Sequence, residues 1–247
     1  MSVSGSASPI EGPIAILTGA GISRESGLQT FRDADGIWAQ YDVEDVATPQ
    51  AFARNPGLVQ DFYNARRDGL LDPAIKPNAA HFALAELEAA WPHDVTIITQ
   101  NNDDLHERAG SRSILHMHGE LLKVQCTACQ IVTSRTQPVH VDTVCKACGT
   151  PGTTRPYVVW FGEMPRFLDD IEDVLSACTL FVSIGTSGNV CPAAGLVSEV
   201  RRRGVAQTLE LNLEPSSGAT LFEDARYGPA TEIVPEFVRE LLNRGEA

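Results

Sequence analysis

Five short apolar segments rich in β-branched residues, each running straight into glycines or polar residues, constrain the fold more than any other feature of the 247-residue sequence. They occupy residues 14–18, 95–99, 114–117, 180–184 and 208–211, all of strand length, and a shorter segment of the same kind spans 232–234. Helical patterns lie between several of them. Leu168, Ile171, Val174, Leu175 and Cys178 fall at helical spacing, as do Ala193, Leu196, Val197 and Val200, a stretch that begins after Pro192 and stops at Gly204. Val234, Phe237, Val238, Leu241 and Leu242 make a C-terminal amphipathic helix with Pro235 near its first turn. The alternation predicts an α/β fold: a Rossmann-like parallel sheet with helices on both faces.

Two stretches break this rhythm. Residues 31–90, mostly helical and loop sequence between the first two strands, exceed an ordinary crossover and predict a helical insertion. Residues 119–157, rich in Cys, Thr, Gly and Pro, predict a second inserted module. Residues 1–12 read as a flexible leader ahead of one catalytic domain over 13–247.

The charge balance limits the partners. With 19 Lys+Arg against 32 Asp+Glu, the net charge of −13 repels phosphate backbones and anionic lipid, which argues against nucleic acid and membrane surfaces. A single arginine or a row of backbone N–H groups can still hold a small anion. No apolar run approaches the roughly 18 residues of a membrane span, and the N-terminus lacks the basic and long apolar regions of a secretory signal. The expectation is a cytoplasmic monomer whose six cysteines are thiols and metal ligands.

In an open parallel sheet, ligands bind beyond the carboxyl ends of the strands. Here those ends carry Gly19, Ala20, Gly21, Ile22 and Ser23; Gln100, Asn101, Asn102, Asp103 and Asp104; His118, Gly119 and Glu120; Gly185, Thr186, Ser187 and Gly188; and Asn212, Leu213 and Glu214. The first set resembles a phosphate-binding turn, although Arg24 stands where a dinucleotide fingerprint has its last glycine, and a tight turn needs no ligand. His118 reads either as a structural histidine or as a general base at the rim. Asp103 and Asp104 read as acid/base carboxylates or as solvated charges and caps.

The cysteine spacing is more specific. Cys126-x2-Cys129, fifteen residues, then Cys145-x2-Cys148 is the two-knuckle pattern of a tetrahedral zinc site, and four thiolates leave no open coordination position, so the ion is structural. Cys178 and Cys191 read as small buried thiols. Tyr63 and Arg66, at i and i+3, share one helix face, where they form either a clamp for a carboxylate or part of a solvated basic patch.

Taken in order, these segments resemble the sirtuin family of NAD-dependent protein-lysine deacylases over nearly the whole chain. The resemblance is carried by Gly19 to Ser23 with Glu25 to Gly27, Phe31-Arg32, Asp35 to Trp38, Thr99 to Asn101 with Asp103 and Leu105-His106, His118-Gly119, the four cysteines, Val158 to Glu163, Gly185 to Ser187 and Asn212 to Glu214. It implies that NAD is consumed as a cosubstrate, that one structural zinc is bound, and that acyl-lysine proteins or peptides are the partners. By the same resemblance His118 is the general base. NAD is contacted by Gly19, Ala20, Gly21, Ile22, Ser23, Phe31, Arg32, Trp38, Gln100, Asn101, Asn102, Asp103, Gly185, Thr186, Ser187, Asn212, Leu213, Glu214 and Ala230. The substrate peptide is taken between Val159, Trp160, Phe161 and Gly162 on one side and Gly188 and Val190 on the other.

Tyr63 and Arg66 match the Tyr-x-x-Arg pair of the class III members, associated with succinyl, malonyl and glutaryl groups, and Ala47 resembles their small residue that widens the acyl pocket. The activity implied is removal of succinyl and malonyl, and also acetyl, from lysine, giving nicotinamide and O-acyl-ADP-ribose. Protein ADP-ribosylation and non-catalytic NAD sensing are the alternatives. One departure stands out: Asn102 replaces the isoleucine usual in the family's Gln-Asn-Ile-Asp segment.

Overall fold

A computed structural model describes residues 10–29, 41–204 and 206–244. Phe31, Arg32 and Trp38 lie outside the described residues, as does most of the expected leader. The main sheet has six parallel strands, β1 (Ile14–Thr18), β2 (Val95–Thr99), β3 (Ile114–His116), β7 (Leu180–Ile184), β8 (Gln207–Asn212) and β9 (Asp224–Tyr227), in the order β3-β2-β1-β7-β8-β9. The numbering skips three strands, β4 (Gly119–Cys126), β5 (Val132–Ser134) and β6 (Thr154–Val158), which form a separate antiparallel sheet in the order β5-β4-β6.

Both faces of the main sheet are covered, as expected from strands that are apolar on both sides. On one face Ile14, Ile16, Val95, Ile97, Val182 and Leu209 pack against Leu84 and Leu87 of α4 (Ala79–Ala90) and Phe237, Val238 and Leu241 of α8 (Ala230–Arg244). On the other, Ala15, Leu17, Ile98 and Phe181 meet Ile171 and Leu175 of α6 (Leu168–Ala177) and Val197 and Val200 of α7 (Leu196–Arg203). A third cluster joins α1 (Val43–Val46), α2 (Pro49–Arg54) and α3 (Pro56–Leu70) to β4 and β6, through Val46, Ala47, Ala51, Val59, Phe62, Tyr63, Leu121, Val158 and Trp160. The helical stretch before β2 therefore divides: α4 covers the main sheet, whereas α1 to α3 pack on the small one.

Three expectations are corrected. Residues 232–234 are helical, inside α8; Ile233 and Val234 face the same cluster as Phe237 and Val238, so helical burial decides the conformation rather than the β-branched pair ahead of Pro235. The sixth strand is instead Asp-Ala-Arg-Tyr at 224–227, an exposed edge with no apolar alternation to reveal it. Cys178 is buried as expected, but Cys191 is exposed.

Candidate active site

The site lies where the order of the sheet reverses. The chain runs outward from β1 through β2 to β3, then returns to β7 on the other side of β1 and continues to β8 and β9, so the loops after β1 and β7 part at their shared border. They touch there backbone to backbone. Gly19 N–H donates to the Ile184 carbonyl at 3.0 Å and Gly21 N–H to the Gly185 carbonyl at 2.8 Å. A Cβ on Gly21 would stand 2.7 Å from Gly185 Cα, and one on Gly185, whose φ is +62°, would stand 2.4 Å from Ile22 N. Only glycine permits this approach.

Gly19 leads into a 3-10 turn, Ala20–Ser26. Ile22 is fully buried in the core and can offer a ligand only its backbone, while Ser23 sits at the centre of a polar network. Its hydroxyl donates to Asp103 Oδ2 at 3.1 Å and accepts from Asn101 Nδ2 at 3.2 Å. Beneath it, His81 accepts the Asn78 N–H at Nδ1 in the capping box of α4, which leaves Nε2–H for the Ser23 oxygen at 3.4 Å. Burial holds His81 down at about 4, so the ring is neutral. His81 has no signal in the sequence beyond its place three residues after an Asn cap, on a helix whose other polar residues are Glu86 and Glu88.

Burial pushes the Asp103 carboxyl up to about 6, against the N–H of Leu105 and the Ser23 hydroxyl, which favour its charge. Asp104 is separate. It stands at the start of α5 (Leu105–Ala109) near Arg108, 3.6 Å away, and the two carboxylates are not bonded as a pair. The loops after β2, β7 and β8 interlock: Gln100 Nε2 donates to Thr186 Oγ1 at 3.2 Å, and Asn212 Nδ2 to the Thr186 carbonyl at 2.8 Å. Leu213 and Glu214 follow, exposed. Ala230 opens α8, where the next residue, Thr231, donates its N–H and hydroxyl to Glu25 of the 3-10 turn at 3.0 and 2.7 Å.

His118 lies beyond β3, not at its last position, and so differs from His116 in surroundings. His118 Nδ1 donates to the Gln100 carbonyl at 3.1 Å, leaving the Nε2 lone pair available. Burial lowers its pKa below the usual 6.5, with the Gln100 carbonyl opposing, so the ring is a neutral base at physiological pH. Activity that needs this base and an ionised Asp103 should be flat above neutral pH and fall as the pH drops through about 6, where Asp103 takes a proton, and further as His118, held below the usual 6.5, protonates in turn. A kcat/KM profile against pH checks this; a rise on acidification would contradict it.

His116 instead bonds Glu107 Oε1 at 2.6 Å through Nε2. Burial lowers its pKa, but the Glu107 carboxylate more than offsets this and the net direction is up. Glu120 lies close by, held by Lys123 at 2.6 Å, so the two carboxylates of the Glu107, His116 and Glu120 cluster each have a partner, Glu107 in His116 and Glu120 in Lys123.

Tyr63 and Arg66 do share one face of α3. Tyr63 is buried and its hydroxyl accepts from Trp160 Nε1 at 3.0 Å, while the Arg66 guanidinium carbon lies 5.7 Å from the centre of the phenol ring. Burial lowers the Arg66 pKa, with Tyr63 and then Asp103 opposing. Tyr63 is thus packed in the core, and Arg66 lies half-buried beside it. Ala47 lies in the same cluster, and its carbonyl accepts the Phe161 N–H at 3.0 Å. Val159 N–H donates to the His118 carbonyl at 2.9 Å, and Trp160 N–H to Glu163, whose carboxylate is paired with Arg155. Phe161, Gly162 and Val190 are exposed, and Gly188 N–H donates to Thr186 Oγ1 at 3.3 Å.

The four cysteine sulfurs lie within 4.8 Å of one another, with 3.7 Å between Cys126 and Cys148 and 3.8 Å between Cys129 and Cys145. Tetrahedral zinc, with Zn–S of about 2.3 Å, sets its sulfurs about 3.8 Å apart, whereas a disulfide sets them near 2.05 Å. The quartet fits zinc. Since it joins the ends of β4 and the loop before β6, stripping the metal with a chelator should lower the melting temperature by about 10 °C or more. An unchanged melting curve after verified metal loss would contradict that role.

The Sir2 family model matches residues 19–192 of the chain. A Caulobacter vibrioides protein named NAD-dependent protein deacylase is 58% identical over 234 residues, 94% of this chain and 97% of its own length. Among solved structures, a Sir2 homologue variant in complex with ADP-ribose aligns with a TM-score of 0.86 at 38% identity, over 95% of this chain and 93% of that one. A Sir2 homologue in complex with NAD aligns at 0.84 with 39% identity, over 94% and 90%.

Proposed function

The chain belongs to the Sir2 family and is an NAD-dependent protein deacylase, and we propose that the acyl groups it prefers to take from lysine are acidic ones, succinyl and malonyl, with acetyl also accepted. One observation carries this preference. Half-buried, the Arg66 guanidinium lies beside the Tyr63 phenol, whose ring packs in one cluster with Ala47 and Trp160. A neutral acetyl group offers that cation no charge-assisted bond, whereas a distal carboxylate offers two.

The donor set suits a dinucleotide. Gly19 to Ser23 and Gly185 to Ser187 provide close backbone, and Gln100, Asn101, Thr186 and Asn212 are uncharged hydrogen-bonding groups suited to ribose hydroxyls and a carboxamide. Leu213, Glu214 and Ala230 continue that rim toward the adenine end, and Phe31, Arg32 and Trp38 belong to the same reading. Asn102 can offer only its oxygen, because its NH2 is already bonded. When bound, NAD supplies the ribose carbon that accepts the acyl oxygen as nicotinamide leaves.

His118 then acts at Nε2, taking a proton from a ribose hydroxyl while Nδ1–H stays on the Gln100 carbonyl. The substrate backbone adds as a strand between Val159 to Gly162 and Gly188 to Val190. A cytoplasmic site of action accompanies this reading, since zinc thiolates persist where the medium is reducing; among the described residues no helix is long and apolar enough to cross a membrane.

Incubation with NAD and a succinyl-lysine peptide should yield unmodified lysine, nicotinamide and O-succinyl-ADP-ribose by mass spectrometry. ADP-ribose attached to a protein acceptor, or no nicotinamide release, would count against the reading.

A further inference from the structure

We infer that Asn102 is a positioning residue for His118, clamping the backbone on which the imidazole is carried. The inference rests on the reading of His118 as the base. Asn102 Nδ2 donates to the His118 carbonyl at 2.8 Å and to the Gly119 carbonyl at 3.0 Å. A primary amide has two N–H bonds, and here each serves one of two successive carbonyls.

Successive carbonyls converge in this way because of the backbone between them. Gly119 has φ of +78°, and a Cβ there would lie 2.1 Å from the Tyr157 carbonyl oxygen, so no other residue can hold the turn. The turn also falls outside the main sheet, whose nearest strand ends at His116. Its position is therefore set by other contacts: Met117 N–H on the Thr99 carbonyl at 3.0 Å, the pairing of Gly119 with Val158 in the small sheet, Val159 N–H on the His118 carbonyl at 2.9 Å, Leu121 N–H on the Asn102 carbonyl at 2.8 Å, and the Asn102 amide.

The loop after β2 consequently holds His118 at both ends. Gln100 accepts from the ring at Nδ1, and Asn102, two residues on, donates to the main chain. The intervening Asn101 bonds Gly19 and Ser23, the turn that faces the dinucleotide in the proposed function. One loop thus sets the distance between the base and the bound ribose. An aliphatic side chain at 102 leaves the ring contact and the Val159 bond in place and removes two of the ties on the backbone, which loosens the placement of Nε2; a displacement of about 1 Å can cost about a hundredfold in rate.

The two halves of the reaction separate this role from simple support of the fold. Exchange of labelled nicotinamide into NAD, in the presence of acyl peptide, needs no base, whereas O-acyl-ADP-ribose formation does. For Asn102→Leu, and for Asn102→Ala as the less bulky variant, product formation should fall roughly tenfold or more relative to exchange when both are measured at saturating NAD. His118→Ala should show the same split more strongly. If it does and neither Asn102 variant does, or if exchange and product formation fall together as KM for NAD rises, the positioning role is overturned. If His118→Ala itself shows no split, the assignment of the base fails and takes this inference with it.

Discussion

Replacing Arg66 with methionine is expected to leave deacetylation nearly intact while cutting kcat/KM for desuccinylation by roughly 30- to 3,000-fold. The magnitude follows from what is lost. Truncating one partner of a desolvated charge pair costs about 2–5 kcal/mol, because the remaining charge is left without its counterpart. Methionine keeps the length and apolar bulk of the arginine stem against Phe62 and Tyr63, so packing changes little and the charge is what is tested. Steady-state kinetics on one peptide carrying each acyl group in turn measures the effect. Equal losses on both substrates would mean that Arg66 supports the pocket wall rather than reading the acyl chain.

The second large effect is expected at His118. Its replacement by alanine should slow O-acyl-ADP-ribose formation by about 10²- to 10⁴-fold, the range over which a positioned general base contributes. Fold stability should barely change, since the ring lies half-exposed at the rim and its side chain bonds the Gln100 carbonyl through Nδ1 alone among the described residues. Quenched-flow product analysis with a thermal melt of the same sample separates the two. A variant that melts like the parent and turns over at the parent rate would remove His118 from the chemistry.

The parts of this molecule that could be read from its sequence are those whose physics is local. The strands β1, β2, β3, β7 and β8 are mostly apolar runs ending on glycine or polar residues, and burial on both faces of the inner ones is why, with Glu210 in β8 a buried polar exception. The cysteine quartet is legible because metal geometry dictates its spacing, and Tyr63 with Arg66 because three residues on a helix is one face.

What was hidden depends on contacts across the chain. Strand β9 is polar and exposed, held in place by its ladder to β8 rather than by any pattern of its own. His81 looks like one more polar residue near the start of a helix until the fold buries it against Ser23, 58 positions away. Asn102 was visible as an oddity, but what it does is decided by carbonyls 16 and 17 residues further on.

On the proposed reading a half-buried arginine, Arg66, selects acidic acyl chains in this NAD-dependent deacylase. The most direct test is the ratio of kcat/KM for succinyl-lysine over acetyl-lysine, measured with the unmodified enzyme on the same peptide at saturating NAD. The predicted ratio is well above one, roughly tenfold or more, and it should fall as salt is raised, because the ligand carries charge. A ratio at or below one would contradict the claim.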